Sequence, residues 1–377
     1  LGGVIMAEQI NKTYISWKDL NKKRNQVEYT RPTQLLDTDG NLLVRGGWAR
    51  HNVFEYDRTF AHPQWRGKEW DFYQLCNGKY MVQISIANIS IGGYASATLV
   101  DVSGQEQKLI TSMTVWLGGK NKVILPENCD RPNIAEYKKG KYLFRATTLK
   151  NSRTLEFVGP AKDKMIEAKF QMDMFDDHQN ITIVTPFKKK GEYLPKRFFM
   201  TMKQNCMPCE GTFKYGDEEY SFEKKNTFCV LDWGRGVWPY KNVWYWGNGA
   251  QYITDAEGND HIFGFEITWG IGDESNATET CLFYDGVAHK IGSVDVEVFP
   301  KPDKYMEPWH FVSEDGRFDL TMTPTYDHHS DMNALNIVRM HSHQVHGLWN
   351  GTVTLDDGTK LEIKDMYAFC EYVENKW

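Results

Sequence analysis

The stretch Tyr80-Met81-Val82-Gln83-Ile84-Ser85-Ile86 places Val82, Ile84 and Ile86 on one face of an extended backbone and Gln83 and Ser85 on the other. This period of two is that of a strand with one face buried. Arg317-Phe318-Asp319-Leu320-Thr321-Met322-Thr323 repeats it after the turn-forming Glu314-Asp315-Gly316. Gly351 to Leu355 runs through Asp356-Asp357-Gly358 into Leu361-Glu362-Ile363, the pattern of a hairpin. Turn clusters also stand at Asp37-Thr38-Asp39-Gly40, Tyr215-Gly216-Asp217 and Asp255-Ala256-Glu257-Gly258. Almost no stretch of three or more helical turns between them keeps an apolar stripe, so the chain reads as all-β, of sandwich or barrel type.

The length, 377 residues, exceeds what one compact core usually holds, and two similar halves, each a sheet closed on itself, suit it. A charge run with a glycine, Phe187-Lys188-Lys189-Lys190-Gly191-Glu192, marks either the division or a solvated hairpin loop within one half. Taken as the division, it gives an N-terminal extension over 1–30, a first barrel over 31–190 and a second over 191–377. Leu1 to Ile5 are read as foreign to the chain, with Met6 the natural start.

With 44 Lys+Arg against 50 Asp+Glu, the net charge of −6 offers no footprint for a polyanion, and nucleic-acid binding is not expected. The most apolar stretch, Met81 to Val100, is broken by Gln83, Ser85, Asn88, Ser90 and two glycines, so no membrane span is expected either. The seven cysteines, at 76, 129, 206, 209, 229, 281 and 370, are odd in number and scattered, unlike a disulfide framework. Without a secretion signal, a cytoplasmic location is expected. Aromatic residues reach 14%, which suits both core filling and the walls of a small-molecule pocket.

The densest text is Leu231-Asp232-Trp233-Gly234-Arg235-Gly236-Val237-Trp238-Pro239-Tyr240, followed by Val243-Trp244-Tyr245-Trp246-Gly247. It closely resembles the signature of a large, mostly bacterial domain-of-unknown-function family, DUF2804. Matching pieces include Lys68-Glu69-Trp70-Asp71-Phe72-Tyr73, Gly272 to Glu279, Phe283-Tyr284-Asp285-Gly286, His289-Lys290, Pro308-Trp309, Asp315-Gly316-Arg317-Phe318, His343-Gln344-Val345 and Glu374-Asn375-Lys376-Trp377. Cys281 and His346 depart from the family pattern. The family is in turn similar to two-barrel, lipocalin-like proteins that include carotenoid hydratases and fungal cyclases. That resemblance implies two calycin-type barrels side by side, with an apolar ligand in a barrel mouth or at their junction.

Several groups carry candidate chemistry. Asp232 and Arg235, set among glycines, can meet a ligand or form a structural ion pair under the tryptophans, as calycin barrels often place an Arg-Trp pair at the closed end. Trp238, Tyr240, Trp244 and Trp246 can line a pocket or pack a core, with Trp244 and Trp246 on one strand face. Trp269 to Glu279 puts three carboxylates in and beside a glycine-rich turn; Glu279 is the preferred acid, with Trp269 and Phe283 as the apolar surround that raises its pKa. Asp285 reads as a turn residue. His341, His343 and His346 lie close together, with His328-His329 a loop away; histidines on one face can share a metal ion. No carboxylate or cysteine stands at a second characteristic spacing, so no metal is expected, and His343 beside Gln344 is assigned an acid/base or hydrogen-bonding role. Cys206-Met207-Pro208-Cys209 has no second pair and no βαβ setting, so no redox or zinc role is expected of it.

These readings converge on a lipocalin-like enzyme acting on a small hydrophobic molecule (an isoprenoid, lipid or polyketide) by acid-assisted hydration, elimination or cyclisation, with no cofactor. Asp232, Glu279 and His343 are its catalytic candidates; Arg235, Trp238, Tyr240, Trp244, Trp246 and Gln344 are its substrate-binding ones. Two alternatives stand beside it: a non-catalytic carrier with the same pocket, and a carbohydrate-active enzyme with paired carboxylates and stacking tryptophans. The sequence leaves the oligomeric state open.

Overall fold

The computed structural model describes residues 24–376 apart from 90, 107, 119–122, 299–303 and 335–337; the expected start at Met6 and most of the N-terminal extension lie outside the described residues. Alternating text becomes alternating burial. Val82, Ile84 and Ile86 of strand Tyr80–Ile89 are inaccessible to solvent and join the first core, while Gln83 and Ser85 point the other way. Among the described residues, all ladders of the two large sheets are antiparallel.

Among the described residues the first sheet has 13 strands. Its main path runs Leu109–Leu117, Gly92–Asp101, Tyr80–Ile89, Gly67–Cys76, Phe228–Val237, Glu192–Tyr215, Lys164–Asp173, Ser152–Ala161, Tyr142–Thr148, Asn133–Lys139. It curls until its ends meet: Ser112 Oγ donates to the Pro160 carbonyl at 2.7 Å, Tyr142 OH donates to the Met113 carbonyl at 3.1 Å, and Trp116 stacks on Tyr137 at 4.6 Å. The second sheet has, among the described residues, nine strands, in the order Val287–Lys290, Glu279–Tyr284, Asp260–Trp269, Lys241–Thr254, Lys360–Lys376, Val338–Thr354, Phe318–Ala334, Trp309–Ser313, Val294–Val298. It wraps its own aromatic core, in which Trp349 lies between Phe265 and Phe311.

The passage from one sheet to the other falls between Val237 and Lys241, so Glu192–Val237, placed with the second barrel on sequence grounds, is built into the first sheet. The charge run near 190 is a hairpin loop: Lys189 pairs with Glu192 across Lys190 and Gly191, both at positive φ, as a two-residue turn of the primed type requires. The Glu192–Tyr215 strand can belong to two parts of the sheet because it is bulged between Gln204 and Met207, where Cys206 sits at φ +58°. Its first part pairs with Ile181–Lys189 and Phe228–Val237, its last part with Lys164–Asp173 and Glu218–Phe222. All seven cysteines are free, and Cys206 and Cys209 pack into different clusters.

The two sheets lie against each other through their outer faces. Asn205 Nδ2 donates to the Phe265 carbonyl at 2.9 Å, and Tyr367 OH donates to the Val102 carbonyl at 2.8 Å. Among the described residues no helix is long and apolar enough to cross a membrane.

Candidate functional site

The side chains that alternate away from each core meet in the seam between the sheets. In the second sheet they form one row of directly opposed residues across five strands: Gln344 faces Glu371, Glu371 faces Trp246, Trp246 faces Thr268, and Thr268 faces Glu279. In the first sheet Lys203 faces Asp232 and Asp232 faces Phe72. When the outer faces close, one lysine is set among four carboxyl groups.

Lys203 Nζ is 2.7 Å from Asp232 Oδ1 and 3.4 Å from Glu279 Oε1, and lies 4.4 Å from the centre of the Trp246 ring. Thr201 Oγ1 donates to the same Asp232 oxygen at 3.1 Å. The Trp246 indole N–H donates to Glu266 Oε2 at 2.8 Å, and the Trp244 N–H donates to Glu371 Oε1 at 3.0 Å. Glu266 Oε1 is buried with no hydrogen-bond partner among the described residues. Lys203, Glu266 and Glu279 are buried; Asp232 and Glu371 are partly so.

The electrostatics follow from that geometry. Burial opposes the Lys203 ammonium, but Asp232, Glu279 and Glu266 outweigh it and hold its pKa above the ordinary lysine value. Burial pushes Glu279 up to about 7 against the pull of Lys203, with Asp232 adding to the rise. It pushes Glu371 up to about 7 and Glu266 well above the carboxylate range. One cation cannot keep this many buried carboxyls ionised, so the seam stores protons near neutral pH.

A chain of amides leads from this cluster to a cleft. Gln344 Nε2 donates to Glu371 Oε2 at 3.3 Å; Gln83 Nε2 donates to Gln344 Oε1 and to Gln74 Oε1, each at 2.8 Å. Gln74 lines a cleft of about 40 Å³ in the same seam, with Asn205, Asn248, His346, Tyr367 and Phe369 also on its wall. That volume accommodates a few water molecules. His346, whose Nε2 is 3.3 Å from Gln344 Oε1, is held neutral by burial, with its pKa pushed down to about 3.

The structure thus brings together Asp232, Glu279, Trp244, Trp246 and Gln344. It sets the other candidates apart. Arg235 is three positions from Asp232, which on a strand means the opposite face. It points into the first barrel, donates to Asp71 Oδ1 at 3.0 Å and to the carbonyls of Trp70, Gly234 and Pro126, and lies 4.1 Å over the Trp233 ring. Its carboxylate partner is therefore Asp71 rather than Asp232. Trp238 joins Trp70, Phe199, Phe187 and Trp244 in an aromatic cluster beside the seam, and Tyr240 is 38% exposed beyond the strand end. His343 cannot share a pocket with Gln344, its chain neighbour, for the same reason of alternation: it faces the second barrel, against Asp327 and Tyr305. Phe283 shares the Glu279 face, but Trp269 belongs to the second core. Asp285 takes the Ile262 N–H at 2.8 Å from a tight turn at φ +47°.

Lys203, Glu266 and Glu371 were not among the sequence candidates. Each sits at the polar position of an alternating strand, as in Met200-Thr201-Met202-Lys203 and Phe265-Glu266-Ile267, and that pattern alone is also that of a solvent face.

A family model described as "Domain of unknown function (DUF2804)" matches residues 26–377. The solved structure of CghA with Sch210972 is similar over 94% of this chain and 97% of that one, with a TM-score of 0.50 at 10% identity. Kievitone hydratase from Nectria haematococca is similar over 82% of this chain and 89% of that one, with a TM-score of 0.43 at 9% identity. Comparison with curated proteins finds no match. The architecture is all-β, with two lipocalin-like barrel sheets side by side.

Proposed function

The chain belongs to the DUF2804 family, and from the seam built on that two-barrel frame we propose an enzyme that hydrates, dehydrates or cyclises a small hydrophobic molecule by proton transfer from a buried carboxyl. The observation that supports the reading is the cluster itself: Lys203 held by Asp232 and Glu279, with Glu266 and Glu371 close by, walled by Trp244, Trp246 and Phe72. A carboxyl that is protonated near neutral pH and shielded from water is what a general acid needs.

In the hydration direction, Glu279 gives its proton to an unsaturated carbon, and the electron-poor centre that results is attacked by water. The proton lost from that water goes to the Glu279 carboxylate, which restores the acid for the next turnover. Elimination is the same sequence reversed; cyclisation replaces the water by a second nucleophile within the substrate. Lys203 remains charged throughout and limits how many carboxylates can form.

The carbohydrate reading asks for Asp232 and Glu279 across an open groove. They instead share one ammonium inside a seam. The carrier reading is separated by turnover. Native mass spectrometry of the purified full chain, followed by incubation of any co-purified molecule with fresh enzyme, should show a hydrophobic ligand that changes by the mass of one water or by isomerisation. Glu279→Gln should retain the ligand and lose the conversion. A ligand that is bound but never converted, or conversion unaffected by Glu279→Gln, overturns the enzyme reading.

A further inference from the structure

The hairpin before the last strand carries a second cluster that the seam chemistry does not use. Strands Phe318–Ala334 and Val338–Thr354 are directly opposed in the pairs Asp327 with Val345, His329 with His343, and Asp331 with His341. All six positions share one face, and Val345, the innermost, is fully buried in the second core. The histidines are therefore on the inward surface of the second barrel, outward of that core residue, on the face opposite Gln344 and His346.

One ring nitrogen from each of His329, His341 and His343 lies within 4.8 Å of the others. The carboxylates behind them are arranged as well: Asp327 Oδ2 is 2.7 Å from His343 Nδ1, Asp331 Oδ1 is 2.7 Å from His341 Nδ1, and Asp331 Oδ2 is 3.1 Å from His329 Nε2. A carboxylate on one ring nitrogen fixes the tautomer that leaves the other bare as a ligand, Nε2 in His341 and His343 and Nδ1 in His329, the usual outer support of a metal-bound histidine. Tyr305 stacks on His343 with ring centres 3.8 Å apart and restrains that ring further.

We propose that His329, His341 and His343 form a binding site for a divalent transition-metal ion of the zinc type, with Asp327 and Asp331 as its outer-sphere carboxylates. Three imidazoles suit zinc, nickel, cobalt or copper rather than magnesium or calcium, which prefer all-oxygen sites. Zinc–nitrogen bonds of about 2.0–2.1 Å in a tetrahedron put the ligand atoms roughly 3.3 Å apart, so movement of the exposed His329 toward the restrained His343 closes the present spacing. Three protein ligands leave a fourth position for water or an external group. The second carboxylate spacing missing from the sequence is supplied across the hairpin, from residues ten or more positions earlier in the chain.

The test is calorimetric titration of the tag-free full chain with Zn²⁺, paired with the visible spectrum of the Co²⁺-substituted protein. One ion per chain should bind with micromolar or tighter affinity, and Co²⁺ should give the intense bands of a four-coordinate nitrogen site. His329→Ala, at the most exposed of the three, should remove the saturable binding; Asp327→Asn and Asp331→Asn should each weaken it roughly 10- to 100-fold. Far-UV circular dichroism and metal-free melting confirm that each variant is folded, and His341→Ala replaces any that is not. Absence of saturable 1:1 binding to the parent chain, or an affinity unchanged in the folded histidine variants, overturns the proposal.

Discussion

Lys203 Nζ stands 2.7 Å from Asp232 Oδ1, and the two residues are direct partners in the ladder between strands Glu192–Tyr215 and Phe228–Val237. Their contact lies on the outer surface of the first barrel, where Glu279 and Trp246 of the second sheet cover it. Covering it desolvates one positive and several potential negative groups at once. The seam therefore couples the docking of the two barrels to the protonation of its carboxyls.

Lys203→Met should be strongly destabilising, because it leaves Asp232 and Glu279 buried without their cation. Breaking a buried pair on one side typically costs about 3–5 kcal/mol. The loss should be larger at about pH 8 than at about pH 5, since at the lower pH the orphaned carboxyls are free to protonate. Urea unfolding at the two pH values measures both effects, and a loss that does not grow with pH would contradict the charge-based account.

Glu279→Gln should flatten the pH dependence of stability. Burial raises the folded-state pKa of Glu279 from an ordinary 4.5 to about 7, so the folded protein holds that proton more tightly than the unfolded chain. Its contribution is complete below the unfolded value and is lost as pH rises through the folded one. Over that window the slope should change by up to about one proton, or about 1.4 kcal/mol per pH unit. His178 and His346, held neutral by burial with pKa values lowered from 6.5 to about 4 and about 3, work in the opposite sense from about pH 6.5 downward, across much of the same window, and are common to both proteins, so the comparison of slopes cancels them. Denaturant titrations across pH compare the slopes; identical slopes would mean that Glu279 is ionised throughout.

Alternation made the strands legible: the Val82, Ile84 and Ile86 face is core, and the Asp356-Asp357-Gly358 turn joins two strands, with Val353 opposite Leu361. The same alternation, applied residue by residue, already separates Asp232 from Arg235 and Gln344 from His343, because members of each pair are an odd number of positions apart. What alternation cannot supply is the identity of the surface that covers a polar face. Gln83, Lys203, Glu266 and Glu371 all carry solvent-type side chains at solvent-type positions, and it is the pairing of two barrels, a contact between residues up to 265 positions apart, that buries them. The histidine cluster shows the same limit: His341 and His343 are neighbours in the sequence text, but His329 and both carboxylates come from the partner strand through the hairpin register.

Arg235→Met should cost stability without touching the seam. The guanidinium makes four donor contacts inside the first barrel, and its removal leaves the Asp71 carboxylate and the Trp70, Gly234 and Pro126 carbonyls short of a partner. A loss of about 3–5 kcal/mol follows from orphaning a buried charge. The affinity of any seam ligand should stay within about twofold of the parent protein at temperatures where the variant is folded, a change below about 0.4 kcal/mol. A large affinity loss with little loss of stability would instead place Arg235 in the binding site.

Gly234→Ala tests whether the aromatic cluster at the edge of the seam is set by backbone approach. A Cβ at Gly234 would lie 2.0 Å from Trp70 Cζ2 and 2.1 Å from its Cε2, so the indole ring rests directly on the glycine backbone. The ring has little room to yield. Trp70 is stacked on Phe199 at 5.9 Å and meets Trp238 edge-on at 5.6 Å, and Trp238 in turn contacts Trp244 at 5.9 Å. The added methyl must push Trp70 into that cluster, an overpacking that ordinarily costs about 1–3 kcal/mol. Trp70→Leu makes room for it, so the double variant should be more stable than the sum of the two single losses predicts, with a favourable coupling of about 0.5 kcal/mol or more. The displacement should also reach Trp244, whose N–H donates to Glu371, and change tryptophan emission in Gly234→Ala relative to the parent chain, whereas the double variant should emit as Trp70→Leu alone does. If Gly234→Ala is as stable as the parent chain, the ring moves freely, and the Trp70–Trp238–Trp244 cluster is not a fixed wall of the seam.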